Sequence, residues 1–125
     1  MKIGFIGLGN VGGKLAGSLI RNGHDVTVRD LDAALVAEYV SRGAKEAASP
    51  AALGEAVDVI ITCLPSPAAS AAVAEGEDGF LPVMRPGQVW MEMSTTDEAE
   101  VKRLGAEVIA RGGAAHRSVA SRAER

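Results

Sequence analysis

"KIGFIGLGNVGGKL", residues 2–15, decides the fold. Lys2 to Ile6 is a short apolar run ending in glycine, as expected of a strand buried on both faces. Asn10 to Arg21 then sets Val11, Leu15, Leu19 and Ile20 on one helical stripe. Between strand and helix lies Gly7-Leu8-Gly9-Asn10-Val11-Gly12, a G-x-G-x-x-G loop. The hexapeptide is weak alone and strong in this place, because it closes a strand and opens a helix. Gly7 permits the tight turn, Gly9 lets a pyrophosphate approach the backbone, and Gly12 lets helix and strand pack closely. The helix start offers N–H groups and the positive end of its dipole to the phosphates. A glycine turn with no ligand is the plainer alternative.

Working outward, Asn22-Gly23 stops the helix, and "DVTVRD" (25–30) alternates as a second strand. Asp30 ends that strand 18 residues after Gly12. An acid there accepts hydrogen bonds from the adenosine ribose hydroxyls and repels a 2′-phosphate, which favours NAD over NADP. Arg29 leaves NADP possible: it can pair with a 2′-phosphate or stack on the adenine. If strand alternation aims it away from the ribose, it is a solvated edge charge.

The remaining segments repeat the alternation. Leu31 to Val40 suits a helix, and residues 44–47 suit a short third strand. Ser49-Pro50 opens a helix with Ser49 as cap and Pro50 in the first position. "VDVIITCL" (57–64) is the strongest strand, and "PSPAASAAVAEGEDG" (65–79) follows as a helix. "QVWMEM" (88–93) is another strand, and "STTDEAEVKRLGAEVIARGG" (94–113) a long helix. This alternation implies right-handed crossovers and an α/β, Rossmann-type doubly wound parallel sheet of order 3-2-1-4-5-6. Five strands are expected, with "VWMEM" as an exposed edge through which the chain could self-associate.

Composition narrows the function classes. Hydrophobic residues are 47% and charged residues 23%, ordinary for a globular domain. The net charge of −3 and 3% aromatics favour no nucleic-acid partner. No apolar run approaches the ~20 residues of a membrane span, and no secretory signal is visible, so a cytoplasmic location is expected. Cys63 is the single cysteine, expected to be a small buried hydrophobe, and no Cys/His cluster has metal-ligand spacing. His24 reads as a turn residue, and Trp90, Met91 and Met93 as core and sheet residues.

Together, "IGFIGLGNVGGKLAGSLIRNGHDVTVRD", "DVIITCLPSP" and "GEDGFLPVMRPGQVWMEMSTTDEAEVKRL" resemble, in order, the N-terminal domain of the β-hydroxyacid dehydrogenases. That family includes 3-hydroxyisobutyrate, tartronate semialdehyde and 6-phosphogluconate dehydrogenases. The resemblance covers residues 1 to about 115. It implies that Leu64 and Pro65 line the nicotinamide ribose site and that Thr95 approaches the nicotinamide. Strand termination and helix capping by Ser94 or Thr95 explain the same residues without a ligand. Family members often carry Asn where this chain has Ala69, so one polar cofactor contact is expected to be missing.

The same resemblance implies what should follow. Relatives run to roughly twice this length, consistent with a second domain. They continue with a sixth strand, a substrate loop resembling D-A-P-V-S-G-G, and later a catalytic Lys on a helix. Neither motif occurs here, and Lys14, Lys45, Lys102, Ser118 and Ser121 do not match them. No catalytic residue is therefore assigned. Residues 116–125 are expected to be a disordered tail outside the family pattern, with its arginines solvated. Back-translated with GC-rich codons and read from the third base, residues 115–125 give Ala-Pro-Ile-Gly-Gly-Val-Ala-Gly-Gly-Thr, close to the family loop. A shifted reading frame near His116 is the expectation, and the nucleotide sequence tests it. The expected function is cofactor binding for an oxidoreductase of small β-hydroxyacids, inactive alone. The alternative is a stand-alone dinucleotide-binding sensor or scaffold module.

Overall fold

The computed structural model describes residues 1–93 and 98–117. Six parallel strands form one sheet: β1 (Lys2–Ile6), β2 (Asp25–Arg29), β3 (Lys45–Glu46), β4 (Val59–Thr62), β5 (Val89–Glu92) and β6 (Ala114–Arg117). Their spatial order is β3-β2-β1-β4-β5-β6, the doubly wound order expected from the alternation. The helices are α1 (Asn10–Arg21), α2 (Ala33–Ser41), α3 (Pro50–Ala56), α4 (Pro67–Glu75) and α5 (Glu98–Ala110). A 3₁₀ turn at Leu81–Val83, with no counterpart in the sequence reading, leads into β5.

Alternation along β1 builds two cores. Ile3 and Phe5 face a cluster with Val26, Val28, Val36 and Tyr39, while Ile6 joins Leu53, Ile60, Phe80, Trp90 and Leu104 on the other face. Gly4 sits between these apolar residues because Leu53 packs onto it: a Cβ there would lie 2.5 Å from Leu53 Cδ2. Trp90 is buried and donates its indole N–H to Thr62 Oγ1 at 3.0 Å, so its one polar group is satisfied. Met91 and Met93 pack at the border of the opposite cluster.

Local chemistry sets the element ends. Ser49 and Ser66 cap α3 and α4, accepting from Ala52 N and Ala69 N, and each is followed by proline. Asp32 caps α2 through Ala34 N and Leu35 N, so that helix begins two residues later than its apolar pattern suggests. Gly23, at φ +83°, turns the chain after α1, and His24 is an exposed turn residue. At the opposite end of the sheet, buried Gln88 donates to Gly54 O and Val57 O. Arg85 donates to Gly54 O, Glu55 O and Val57 O. These bonds close the C-terminus of α3, whose carbonyls have no helical partners.

One expectation is corrected. The sheet has six strands rather than five, and β5 is an interior strand, paired with β6 from Val89↔Ala114 to Glu92↔Arg117. "AAHR" has no β-branched residues, so the sequence carries little strand signal there. The backbone makes the strand instead. Gly112 (φ +84°) reverses the chain, Gly113 fits where a Cβ would meet Val108 Cγ1 at 2.9 Å, and Ala114 N–H bonds Gln88 O at 2.9 Å. Pairing through the β5 edge is thereby ruled out, and any edge association would use β6 or the two-residue β3. The tail expected to be disordered lies, from residue 118, outside the described residues.

Candidate functional site

The carboxyl ends of β1, β2 and β4 open onto a groove of about 790 Å³, at the reversal of strand order between β1 and β4. Ligands of open α/β sheets bind at such a point, and the volume lies in the usual small-molecule range of about 300–1,000 Å³. The glycine loop forms its floor.

Each glycine has a separate cause. Gly7 sits at φ +101°, and a Cβ there would stand 2.1 Å from the Cys63 carbonyl oxygen. A Cβ on Gly12 would stand 2.3 Å from the Gly7 carbonyl oxygen, so helix and loop touch by backbone alone. Gly9 has nothing within 4 Å of its Cβ position and starts α1 with no side-chain cap. The helix therefore opens onto free space at Gly9, an arrangement that fits an anionic pyrophosphate, while the Gly12 N–H further along the first turn bonds Cys63. Asn10 and Val11 line the groove beside Gly9. Leu8 does not: its side chain is buried in the core, and its contribution is through its backbone.

That backbone contribution runs to Asp30. The Leu8 N–H donates to Asp30 Oδ2 at 2.8 Å, and the Asp32 N–H to Oδ1 at 2.8 Å. The carboxylate thus ties the glycine loop to the start of α2 and still has lone pairs for ribose hydroxyls. Arg29 also lines the groove. Leu31, 92% exposed, and Leu35, Pro50, Val73 and Asp78 complete this end. Leu35 gave only a helix-stripe signal in sequence, and Asp78 fell at the end of an expected helix that in fact stops at Glu75, so neither stood out as a site residue.

At the other end Leu64 and Pro65 line the groove with Cys63 and Ala69. Thr95, assigned to the nicotinamide side, and Ser94 lie outside the described residues. Cys63 is half-buried on the wall rather than fully enclosed. Burial holds its thiol above the usual range; a backbone hydrogen bond from Gly12 opposes this, and the Glu92 charge adds to it. Cys63 is therefore a poor nucleophile near neutral pH. Alkylation by iodoacetamide should be slower than for a free cysteine at the same pH, and its rate should go on rising with pH after that of a free cysteine has levelled off. Bound dinucleotide should slow it further, and dinucleotide-independent alkylation would place Cys63 outside the occupied site. The raised folded pKa has a second consequence: any stability it contributes is present below the unfolded thiol's pKa and is lost as pH rises through the folded one.

None of Lys14, Lys45 and Lys102 lines this groove; Lys45 pairs with Asp25 and Lys102 with Glu98. Among the described residues no group of three His, Cys, Asp or Glu could hold a metal ion, and no helix is long and apolar enough to cross a membrane. The groove has the parts of a dinucleotide site: an open helix start, a fixed carboxylate at the rim and an apolar wall.

Residues 2–117 match the family described as the NAD binding domain of 6-phosphogluconate dehydrogenase. The chain belongs to that family. Its NAD(P)-binding Rossmann fold is shared with a 3-hydroxyisobutyrate dehydrogenase from Salmonella typhimurium, at TM-score 0.84 and 28% identity, over 92% of this chain and 40% of that one. In sequence it is 38% identical to the mitochondrial 3-hydroxyisobutyrate dehydrogenase of Rattus norvegicus over 106 residues, covering 85% of this chain and 32% of the relative. It is also 34% identical to the human cytokine-like nuclear factor N-PAC over 112 residues, covering 90% of this chain and 20% of that protein. This NAD-binding domain thus spans a third or less of the length of these curated relatives. The family match runs to Arg117, so it includes β6.

Proposed function

We propose that this domain holds NAD for an oxidoreductase acting on small β-hydroxyacids. The observation that carries the NAD preference is Asp30. Its carboxylate is fixed by Leu8 and Asp32 at the rim of the groove, where an adenosine ribose would lie against the glycine loop. A 2′-phosphate there would meet a fixed negative charge, with Asp32 and Asp78 also on the groove. Among the described residues Arg29 is the one cation lining it. It serves best stacked against the adenine, because Asp30 occupies the rim where a 2′-phosphate would have to be held.

The bound dinucleotide supplies a nicotinamide that exchanges hydride with a hydroxyl-bearing carbon. This chain's residues bind and orient. Gly9 and the α1 start receive the pyrophosphate, Asp30 receives the ribose, and Leu64 and Pro65 give the nicotinamide half an apolar wall that excludes water. Thr95 is proposed to meet the nicotinamide itself. The resemblance assigns the substrate loop and acid–base Lys to segments that do not match this chain, so turnover by this polypeptide alone is not expected. A cytoplasmic setting and the lack of a nucleic-acid partner remain part of the proposal.

Calorimetric titration should show NADH binding at least about tenfold tighter than NADPH, the cost of one repelled or unpaired charge. Equal affinities would overturn the NAD preference, and no binding of either would overturn the reading as a cofactor domain. A second reading has its own support: N-PAC, named a nuclear factor rather than a dehydrogenase, contains a related stretch. A dinucleotide-binding sensor or scaffold would bind the cofactor with no hydroxyacid turnover even in the full protein, and an assay of the full protein over small β-hydroxyacids separates the two.

A further inference from the structure

A second groove, of about 620 Å³, runs along the outer face between α1 and α2. It meets the dinucleotide groove at Gly9, Asn10 and Leu35 and extends away from it over Gly13 and Gly17. The two glycines keep its floor low. A Cβ on Gly13 would meet Tyr39 Oη, and a Cβ on Gly17 would stand 3.4 Å from both Arg21 Nη1 and Arg42 Nη1. Two guanidinium groups thus converge over one residue. Lys14 stands on the same groove, nearer the glycine loop.

The charge balance of this face is unlike that of the molecule. The protein is acidic, with net charge −3. Yet α1 carries Lys14 and Arg21 with no acid, and α2 carries only Glu38, which pairs with Arg42. Arg42 also stacks over Tyr39 at 4.8 Å, which holds its guanidinium in place. The C-terminal ends of both helix dipoles help tolerate Arg21 and Arg42, and Glu38 offsets the charge of Arg42, but neither bridges the converging pair. A multivalent oxyanion does, since its oxygens can accept from two guanidiniums at once.

We propose that the α1–α2 groove is a second anion site, distinct from the pyrophosphate loop, for a phosphate or phosphate-ester group held by Arg21, Arg42 and Lys14. The groove joins the dinucleotide groove at Asn10, so the site is placed to report on an anion near the bound cofactor. The test uses the whole chain, saturated with NAD to block the glycine loop, and follows backbone amide shifts during titration with inorganic phosphate. Sodium chloride at matched ionic strength is the control. Saturable shifts at Gly17, Arg21 and Tyr39 are expected, absent with chloride. In Arg21→Gln the apparent affinity should fall at least about tenfold, as for loss of one charged hydrogen bond. Lys14→Gln should weaken it less, and neither change should alter NAD affinity more than about twofold, because both side chains are exposed and off the dinucleotide groove. Non-saturable shifts, shifts equal to those from chloride, or an unchanged affinity in Arg21→Gln would each overturn the site. NAD binding is read in the same samples, so failure of the cofactor reading would show separately.

Discussion

Replacing Gly9 with valine should abolish dinucleotide binding while the melting temperature falls by only a few degrees. Gly9 has a φ of −68°, which any residue adopts, and its Cβ position is open. The folded chain therefore has room for the side chain, and the main structural cost is a poorer helix start, about 1 kcal/mol. A ligand has no such room. The valine methyl groups would occupy the space through which a pyrophosphate must approach the α1 N–H groups, and losing two charge-assisted bonds costs about 3 kcal/mol or more, a factor of at least ~100 in affinity. Gly7→Ala should behave in the opposite way. At φ +101°, with the Cys63 carbonyl oxygen 2.1 Å from the new Cβ, the β1–β4 junction must open. That should remove about 3 kcal/mol or more from a total stability of ordinary size, about 5–15 kcal/mol. Thermal unfolding and NADH calorimetry on both variants check the pair. Retained NADH affinity in a folded Gly9→Val protein would show that the loop does not hold the pyrophosphate.

The contrast between these glycines shows what the sequence made legible. The spacing of Gly7, Gly9 and Gly12 after an apolar run announced the turn, because the positive φ of Gly7 and the backbone contact of Gly12 with Gly7 arise within one strand–loop–helix unit, whereas the Cys63 carbonyl that also confines Gly7 comes from a distant segment and left no mark. Asp30 was legible for the same reason, lying at a fixed distance along a strand–helix–strand unit. β6 was not legible. "AAHR" becomes a strand because β5 offers it a free ladder, and a ladder donated by a distant segment leaves no mark on local propensity. That Arg29 lines the groove depended on how β2 meets it, and Leu35 and Asp78 reached the groove only through the packing of separate elements. The α1–α2 groove was hidden likewise: Gly13 and Gly17 read as ordinary helix positions until Tyr39 and Arg42 from α2 came to lie over them.

Asp30 carries the second large effect, because one carboxylate serves both the fold and the ligand. Alanine at this position should lower NADH affinity about 100-fold and stability by about 2 kcal/mol. The stability loss comes from the Leu8 and Asp32 N–H groups, each bonded to the carboxylate at 2.8 Å. The Leu8 bond is partly buried and the Asp32 bond exposed, so water replaces part of what is lost and the cost stays below the full value for two charged hydrogen bonds. The affinity loss is larger because two contributions fall together: the ribose loses its acceptor, and the glycine loop loses the bond that sets the Leu8 peptide, and with it the α1 start, against the phosphates. Asn should separate these contributions. Asp30→Asn keeps a carbonyl oxygen to accept from one of the two backbone N–H groups and removes the charge that opposes a 2′-phosphate. Stability should fall by less than in the alanine variant, and the preference for NADH over NADPH should shrink about tenfold. Calorimetry with both cofactors on the two variants decides it. If Asp30→Asn keeps the full preference for NADH, discrimination comes from Asp32 or Asp78 on the same groove, and Asp30 is a support of the loop alone.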